Sequence, residues 1–237
     1  MGSHQRQVVV NETGNSARGQ ILDGIRRSLR RGALSDGPRR VVEQRLADPP
    51  RGPPIARALL PLAEKITLFC QWAEANNATV ARVAAVDVAD EVVAYLARNN
   101  LPAEAAMAPS PELDRYDWSG HKMLGLRRGR GEARDQVSIT GAFAGIAETG
   151  TLVMASGPDH PVSLNLLPDT HIVVLREDDI VGGYEDVWAR LRARYGKNGM
   201  PRTVNTITGP SRTGDIEQTI ELGAHGPRRM HIVVVRD

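Results

Sequence analysis

"HIVVLREDDIVGGYEDVWARLRARYG", residues 171–196, decides the fold reading. Residues 171–177 form a nearly unbroken apolar run, as expected of a strand buried on both faces. Residues 184–196 then read as an amphipathic helix ending at Gly196. The alternation continues on either side. "TLVMAS" (151–156) and "TVNTIT" (203–208) read as strands, "DIEQTIEL" (215–222) as a short helix, and "MHIVVVRD" (230–237) as a last strand. Apolar strands alternating with helices predict an α/β fold with a mainly parallel sheet covered by helices.

Upstream, "ATVARVA" (78–84) reads as a strand and "DVADEVVAYLARNN" (87–100) as a helix with Asp87 as its cap. A helix is expected over residues 55–76, where Leu59, Leu62, Ile66 and Phe69 recur at helical spacing. Residues 109–120 read as a loop, and 122–140 as two strands around an Arg/Gly loop. There Arg127, Arg128, Arg130 and Arg134 are either anion ligands or a solvated surface. The small residues of "GAFAGIAE" (141–148) suggest a tightly packed helix. "DPPRGPP" (48–54) marks a boundary, giving an Arg-rich arm (1–50) with one helix over 20–34 and an α/β domain (51–237).

The totals exclude several classes. The chain has 237 residues, 41 % hydrophobic and 24 % charged, with a formal net charge of +2. That balance points to no particular polyelectrolyte. Nine Arg against four acids between Arg18 and Arg51 make the arm basic, but no aromatics interleave for base stacking, so nucleic acid is not expected. The single cysteine, Cys70, makes no internal disulfide and cannot hold an iron–sulfur cluster. No apolar run has the length of a membrane span and no secretory segment opens the sequence, so a cytoplasmic protein is expected. No close His pair offers a metal site.

Two stretches carry the candidate chemistry. In "TVNTITGPSRTGDIEQ" (203–218), a strand, a tight turn and a helix start are expected. Gly209, Pro210, Ser211, Arg212 and Thr213 would then offer backbone N–H groups, hydroxyls and a guanidinium to an anion. The rival reading is a structural cap, with Asp215 and Glu217 already complementing the helix dipole. A nucleophile elbow is disfavoured because no glycine stands two places after Ser211. Gly145 and Gly150 have the spacing of a phosphate loop, but Thr151 stands where its lysine belongs. In "GAFAGIAETGTLVMAS" (141–156), Glu148 carries a charge into an apolar stretch. It is read either as a base or nucleophile facing a cleft, or as a structural carboxylate bonded to backbone N–H groups or an Arg.

In order, "IAETGTLV" (146–153), "LLPDTHIVVL" (166–175), "TGPSRTGDIE" (208–217) and "GAHGPRRMHIVVV" (223–235) resemble the LUD domain, and more closely the lactate utilization protein C family, over roughly residues 55–237. The resemblance implies a fold like that of the ribose-phosphate isomerase and CoA-transferase group. It implies a role in converting L-lactate to pyruvate beside partner subunits that carry iron–sulfur clusters, with this chain accessory or substrate-handling, binding no cofactor itself and holding a small carboxylate such as L-lactate. The motif positions that carry over are Glu148, Thr149, Gly150 and Thr151; Pro168 and His171; Gly209 to Thr213, Asp215 and Glu217; and His225, Gly226 and Pro227. They are expected to meet at one cleft, with Glu148 as catalytic candidate. Gly214 stands where many relatives have Ala. Two rival readings remain: a stand-alone CoA-transferase-like enzyme using Glu148 as nucleophile, and a non-catalytic interaction protein.

Overall fold

The computed structural model describes residues 16–236, apart from 31, 33, 197–198 and 215–219. The chain divides into two units, residues 1–51 and 52–237. Within the first, α1 (Ala17–Ser28) starts where the Ser16 hydroxyl accepts the Gly19 N–H at 3.1 Å. A second helix, α2 (Asp36–Ala47), was not expected from the sequence. The apolar stripe of α1, from Ile21 to Leu29, stays exposed.

The second unit begins with a 3₁₀ turn (Ala56–Leu59) and α3 (Leu62–Ala75). The helix expected over 55–76 is therefore broken at Leu60-Pro61, because proline lacks the N–H and fixes its own φ. Then follow β1 (Thr79–Ala84), α4 (Val88–Arg98), β2 (Glu104–Met107), β3 (Gly125–Arg128), β4 (Val137–Gly141), β5 (Ala144–Ile146), β6 (Thr151–Ala155), α5 (Ser163–Leu166), β7 (Thr170–Arg176), β8 (Ile180–Val181), α6 (Tyr184–Tyr195), β9 (Val204–Ile207), β10 (Arg212–Gly214), β11 (Ile220–Leu222) and β12 (Arg229–Arg236). Six of the strands form one sheet, in the order β1-β12-β7-β4-β2-β3, and every neighbouring pair is parallel. The α/β reading with a mainly parallel sheet holds. Among the described residues, no helix is long and apolar enough to cross a membrane.

A second, smaller sheet, β8-β5-β6-β9, is mixed and was not foreseen. It corrects the helix expected over 141–148. Those residues include β5, whose three residues pair with β6 on one side and β8 on the other, so tertiary pairing overrides the preference of small residues. Of the helix expected over 215–222, residues 215–219 lie outside the described residues; the remaining three, Ile220–Leu222, form a strand paired antiparallel with β10 in a separate two-stranded sheet.

Alternation along β6 ties the layers together. Leu152 and Met154 pack with Phe69 and Ile66 of α3 and with Val173, Leu175, Ile232 and Val234 of the large sheet. Val153 faces the other way, toward Val187 and Leu191 of α6. The opposite face of the large sheet is covered by α4 through Val88, Val92, Tyr95 and Leu96. Two glycines seat loops on the carboxyl end of α3. Gly150 has φ +67°, and a Cβ there would stand 2.3 Å from the Ala73 nitrogen; Gly209 has φ +71°, with the Asn76 carbonyl oxygen 2.0 Å away. No other residue type fits either place without moving backbone.

Candidate functional site

Glu148 sits just past β5, at a strand-to-strand turn and not the helix-to-strand turn expected. Its N–H donates to the Gly182 carbonyl at 3.1 Å. Its Oε1 accepts the Tyr184 N–H at 3.4 Å, so the carboxylate stands at the amino end of α6. A negative group there complements the helix dipole and takes up a free N–H. Next to it is a ladder of hydroxyls. Thr151 Oγ1 lies 2.7 Å from Thr149 Oγ1, 2.7 Å from Thr208 Oγ1 and 3.3 Å from the Tyr184 hydroxyl. A hydroxyl has one donor and two acceptor positions, so the buried Thr151 is saturated by its neighbours.

The second motif meets the first at the end of α3. Asn76 Nδ2 reaches the Thr149 carbonyl at 3.4 Å, while the Arg212 fork spans Asn76 Oδ1 (3.4 Å) and Asn77 Oδ1 (3.3 Å). Gly209 and Pro210 are buried, and Thr213 lies in β10. Ser211 belongs to a loop-on-loop contact. Its N–H donates to the Pro227 carbonyl at 2.8 Å, and its hydroxyl accepts the His225 N–H at 3.3 Å, with Gly226 packed alongside. The hydroxyl bonds the His225 backbone and not its ring. The residues directly after Ser211, Arg212–Gly214, form a strand, and the start of the helix expected from 215 lies outside the described residues.

Three of the four arginines singled out around the Arg/Gly loop are paired with carboxylates. Arg127 pairs with Asp135 and, at 3.5 Å, with Glu132; Arg134 pairs with Glu132 at 3.0 Å and Arg128 with Asp114 at 2.5 Å. The Arg127 guanidinium and a backbone N–H hold the Asp135 carboxyl below its usual range, despite burial pushing the other way.

A different place has the shape of a binding site. A cleft of about 560 Å³ opens at the carboxyl ends of the parallel strands. Ser110 and Glu112 follow β2, Gly141 ends β4 with Phe143 just after it, and Asp179 follows β7. From the β2–β4 border the chain leaves in opposite directions: β2 leads out to β3, β4 leads back to β7. Such a reversal is where open α/β sheets bind ligands. None of the motif residues between Glu148 and Gly226 expected at a site lines this cleft. Glu148 stands at the other end of α6, a helix roughly 18 Å long at 1.5 Å per residue.

The last turns of α6 supply the positive charge. Arg190 is held in place, with Nη1 3.0 Å from Asp179 Oδ1 and Nη2 3.4 Å from the Asp178 carbonyl. Burial pushes the Asp179 carboxyl up, against the pull of Arg190. Arg194, one turn later, lies 6.0 Å from the ring centroids of both Phe143 and Tyr195 and has no carboxylate partner among the described residues. His160 forms part of the opposite wall, its Nε2 3.0 Å from the Asn165 Oδ1. Burial lowers its pKa. Sequence reasoning passed over Arg190 and Arg194. Their i, i+4 spacing at the end of a helix was the available signal, but any solvated helix face has the same pattern.

Residues 66–235 match the LUD domain model. Over 107 residues the chain is 40 % identical to lactate utilization protein C of Deinococcus radiodurans, covering 43 % of this chain and 47 % of that protein. Over 109 residues it is 33 % identical to lactate utilization protein C of Geobacillus kaustophilus, covering 45 % of each. The matched stretch thus spans less than half the length of these curated relatives. Among solved structures, a crystal structure of a DUF162 family protein from Deinococcus radiodurans superposes with a TM-score of 0.55 at 25 % identity, over 75 % of this chain and 99 % of that one. With the matched model covering every strand residue of the large sheet except Arg236, the chain belongs to the LUD domain family.

Proposed function

We propose that this protein acts in L-lactate utilization in the cytoplasm. It serves as an accessory or substrate-handling component beside iron–sulfur proteins that oxidise L-lactate to pyruvate, and it holds a small carboxylate in the cleft at the β2–β4 border. The names of its relatives support the pathway. The observation that carries the site is Arg194, a guanidinium without a carboxylate partner among the described residues, 6.0 Å from two aromatic ring centroids at the reversal point of a parallel sheet. Arg194 is exposed to solvent, and a guanidinium fork matches a carboxylate. Cys70 alone is too few thiolates for a cluster, so clusters belong to the partners. In this reading Glu148 secures the amino end of α6 and the chemistry lies at the helix's other end.

Growth of a strain lacking the gene tests the proposal. Loss of growth on L-lactate, with growth on pyruvate retained, is expected. The unsubstituted gene should restore it and Arg194→Ala should not. Equal growth of the deletion strain on both acids would refute the proposal.

A further inference from the structure

We infer that His160 accepts a hydrogen bond from the 2-hydroxyl of the acid held in the cleft, and so selects a small 2-hydroxy acid over its 2-oxo counterpart. The inference rests on reading the cleft as a carboxylate site. The argument starts from Asn165, which is 1 % exposed in the short helix α5. Its Oδ1 lies 3.0 Å from His160 Nε2. With the amide oxygen turned to the ring and the Asn165 Nδ2 buried without a partner among the described residues, the imidazole proton is assigned to Nε2 and the lone pair to Nδ1. His160 Nδ1 makes no hydrogen bond among the described residues and is not fully enclosed. His160 lines the cleft. A half-buried ring with one nitrogen fixed by a buried amide and the other free toward a cleft is an oriented acceptor.

Burial keeps the ring neutral: it lowers the pKa against the Asn165 hydrogen bond and the Glu112 carboxylate, which both favour the charged form, and the buried His171 lies close enough to feel the charge of His160. Arg190, Arg194, Asp159 and Asp179 are the other charged groups lining the cleft. A neutral Nδ1 meets a hydroxyl as acceptor to donor. It meets the carbonyl oxygen of a 2-oxo acid as lone pair to lone pair and gains no hydrogen bond from it. The carboxylate is common to both acids, so Arg194 contributes affinity and His160 contributes the choice between them.

Titrating L-lactate and pyruvate separately into the full chain by calorimetry near neutral pH tests this. L-lactate should bind about tenfold more tightly, the factor that corresponds to one hydrogen bond of about 1.4 kcal/mol. His160→Leu should bring the ratio to about one. Asn165→Asp places a carboxylate against Nε2, favours the charged imidazolium, turns Nδ1 into a donor, and should shift preference toward pyruvate. Arg194→Ala should weaken both acids alike and leave the ratio standing. Equal or tighter pyruvate binding by the unsubstituted protein would overturn the inference, as would a ratio unmoved by both His160→Leu and Asn165→Asp. Binding of neither acid would instead overturn the carboxylate reading, and this inference with it.

Discussion

Acidification below about pH 6.5 should cost this protein stability at roughly 2.7 kcal/mol per pH unit, before most carboxylates titrate. Two buried histidines set that slope. His171 is wholly enclosed in β7, its Nε2 2.8 Å from the Thr140 Oγ1 and its Nδ1 buried without a hydrogen-bond partner. Burial, aided by nearby His160, pulls its pKa to about 3. His231 of β12 stacks on Tyr95 with ring centroids 4.0 Å apart, and its Nδ1 is 2.8 Å from Thr79 Oγ1. Burial takes its pKa to about 4, although the Glu91 carboxylate, 3.2 Å from Nε2 but off the hydrogen-bonding direction, favours the charged form. Both values are depressed, so the folded protein stays unprotonated while the unfolded chain takes up protons. The stabilisation is complete above about pH 6.5 and drains away as pH falls toward the folded values. Each histidine contributes about 1.4 kcal/mol per unit. The full slope develops only below the unfolded pKa, so from pH 6.5 to 5 the loss is about 3 kcal/mol, a large part of a typical domain's 5–15 kcal/mol. His160, also lowered, acts in the same direction. Urea unfolding followed by circular dichroism at a series of pH values measures the slope, and His171→Gln should roughly halve it. A free energy of unfolding that stays flat between about pH 7 and pH 5 would refute the reasoning.

Two substitutions test the packing around the motifs. Gly150→Ala should destabilise by about 2–5 kcal/mol, since φ +67° disfavours any Cβ and that Cβ would meet the Ala73 nitrogen; thermal unfolding reads this directly. Glu148→Gln should cost only about 0.3–1 kcal/mol, the charge at the amino end of α6, and leave L-lactate affinity unchanged. Abolished binding in a folded Glu148→Gln protein would put Glu148 at the ligand after all.

The large sheet was legible because β7 and β12 are almost uninterrupted apolar runs, which only strands covered on both faces can use. The second sheet was not. β5 has three residues and β8 two, too short for any period to register, and their identity as strands comes from partners distant in sequence. β2, "EAAM", was missed because alanine favours helix in isolation; burial between β3 and β4 decides otherwise. The motifs around Glu148 and Arg212 do come together, at the carboxyl end of α3, yet what they visibly do there is interlock backbone. The cleft escaped sequence reading because its lining comes from several separated segments, each too short to form a motif.

The position of β12 has a kinetic side. It is the last strand described, yet it lies inside the sheet between β1 and β7, and its register joins Thr79 to His231 across 152 residues. Until residues 229–236 have been synthesised, β1 has no neighbour in the large sheet and one edge of β7 stays open, with apolar faces and unpaired N–H and C=O groups. Closure over so long a separation is slow. A nascent chain must therefore shield a half-built, sticky edge for most of its synthesis, and deleting β12 would leave two exposed edges primed for aggregation.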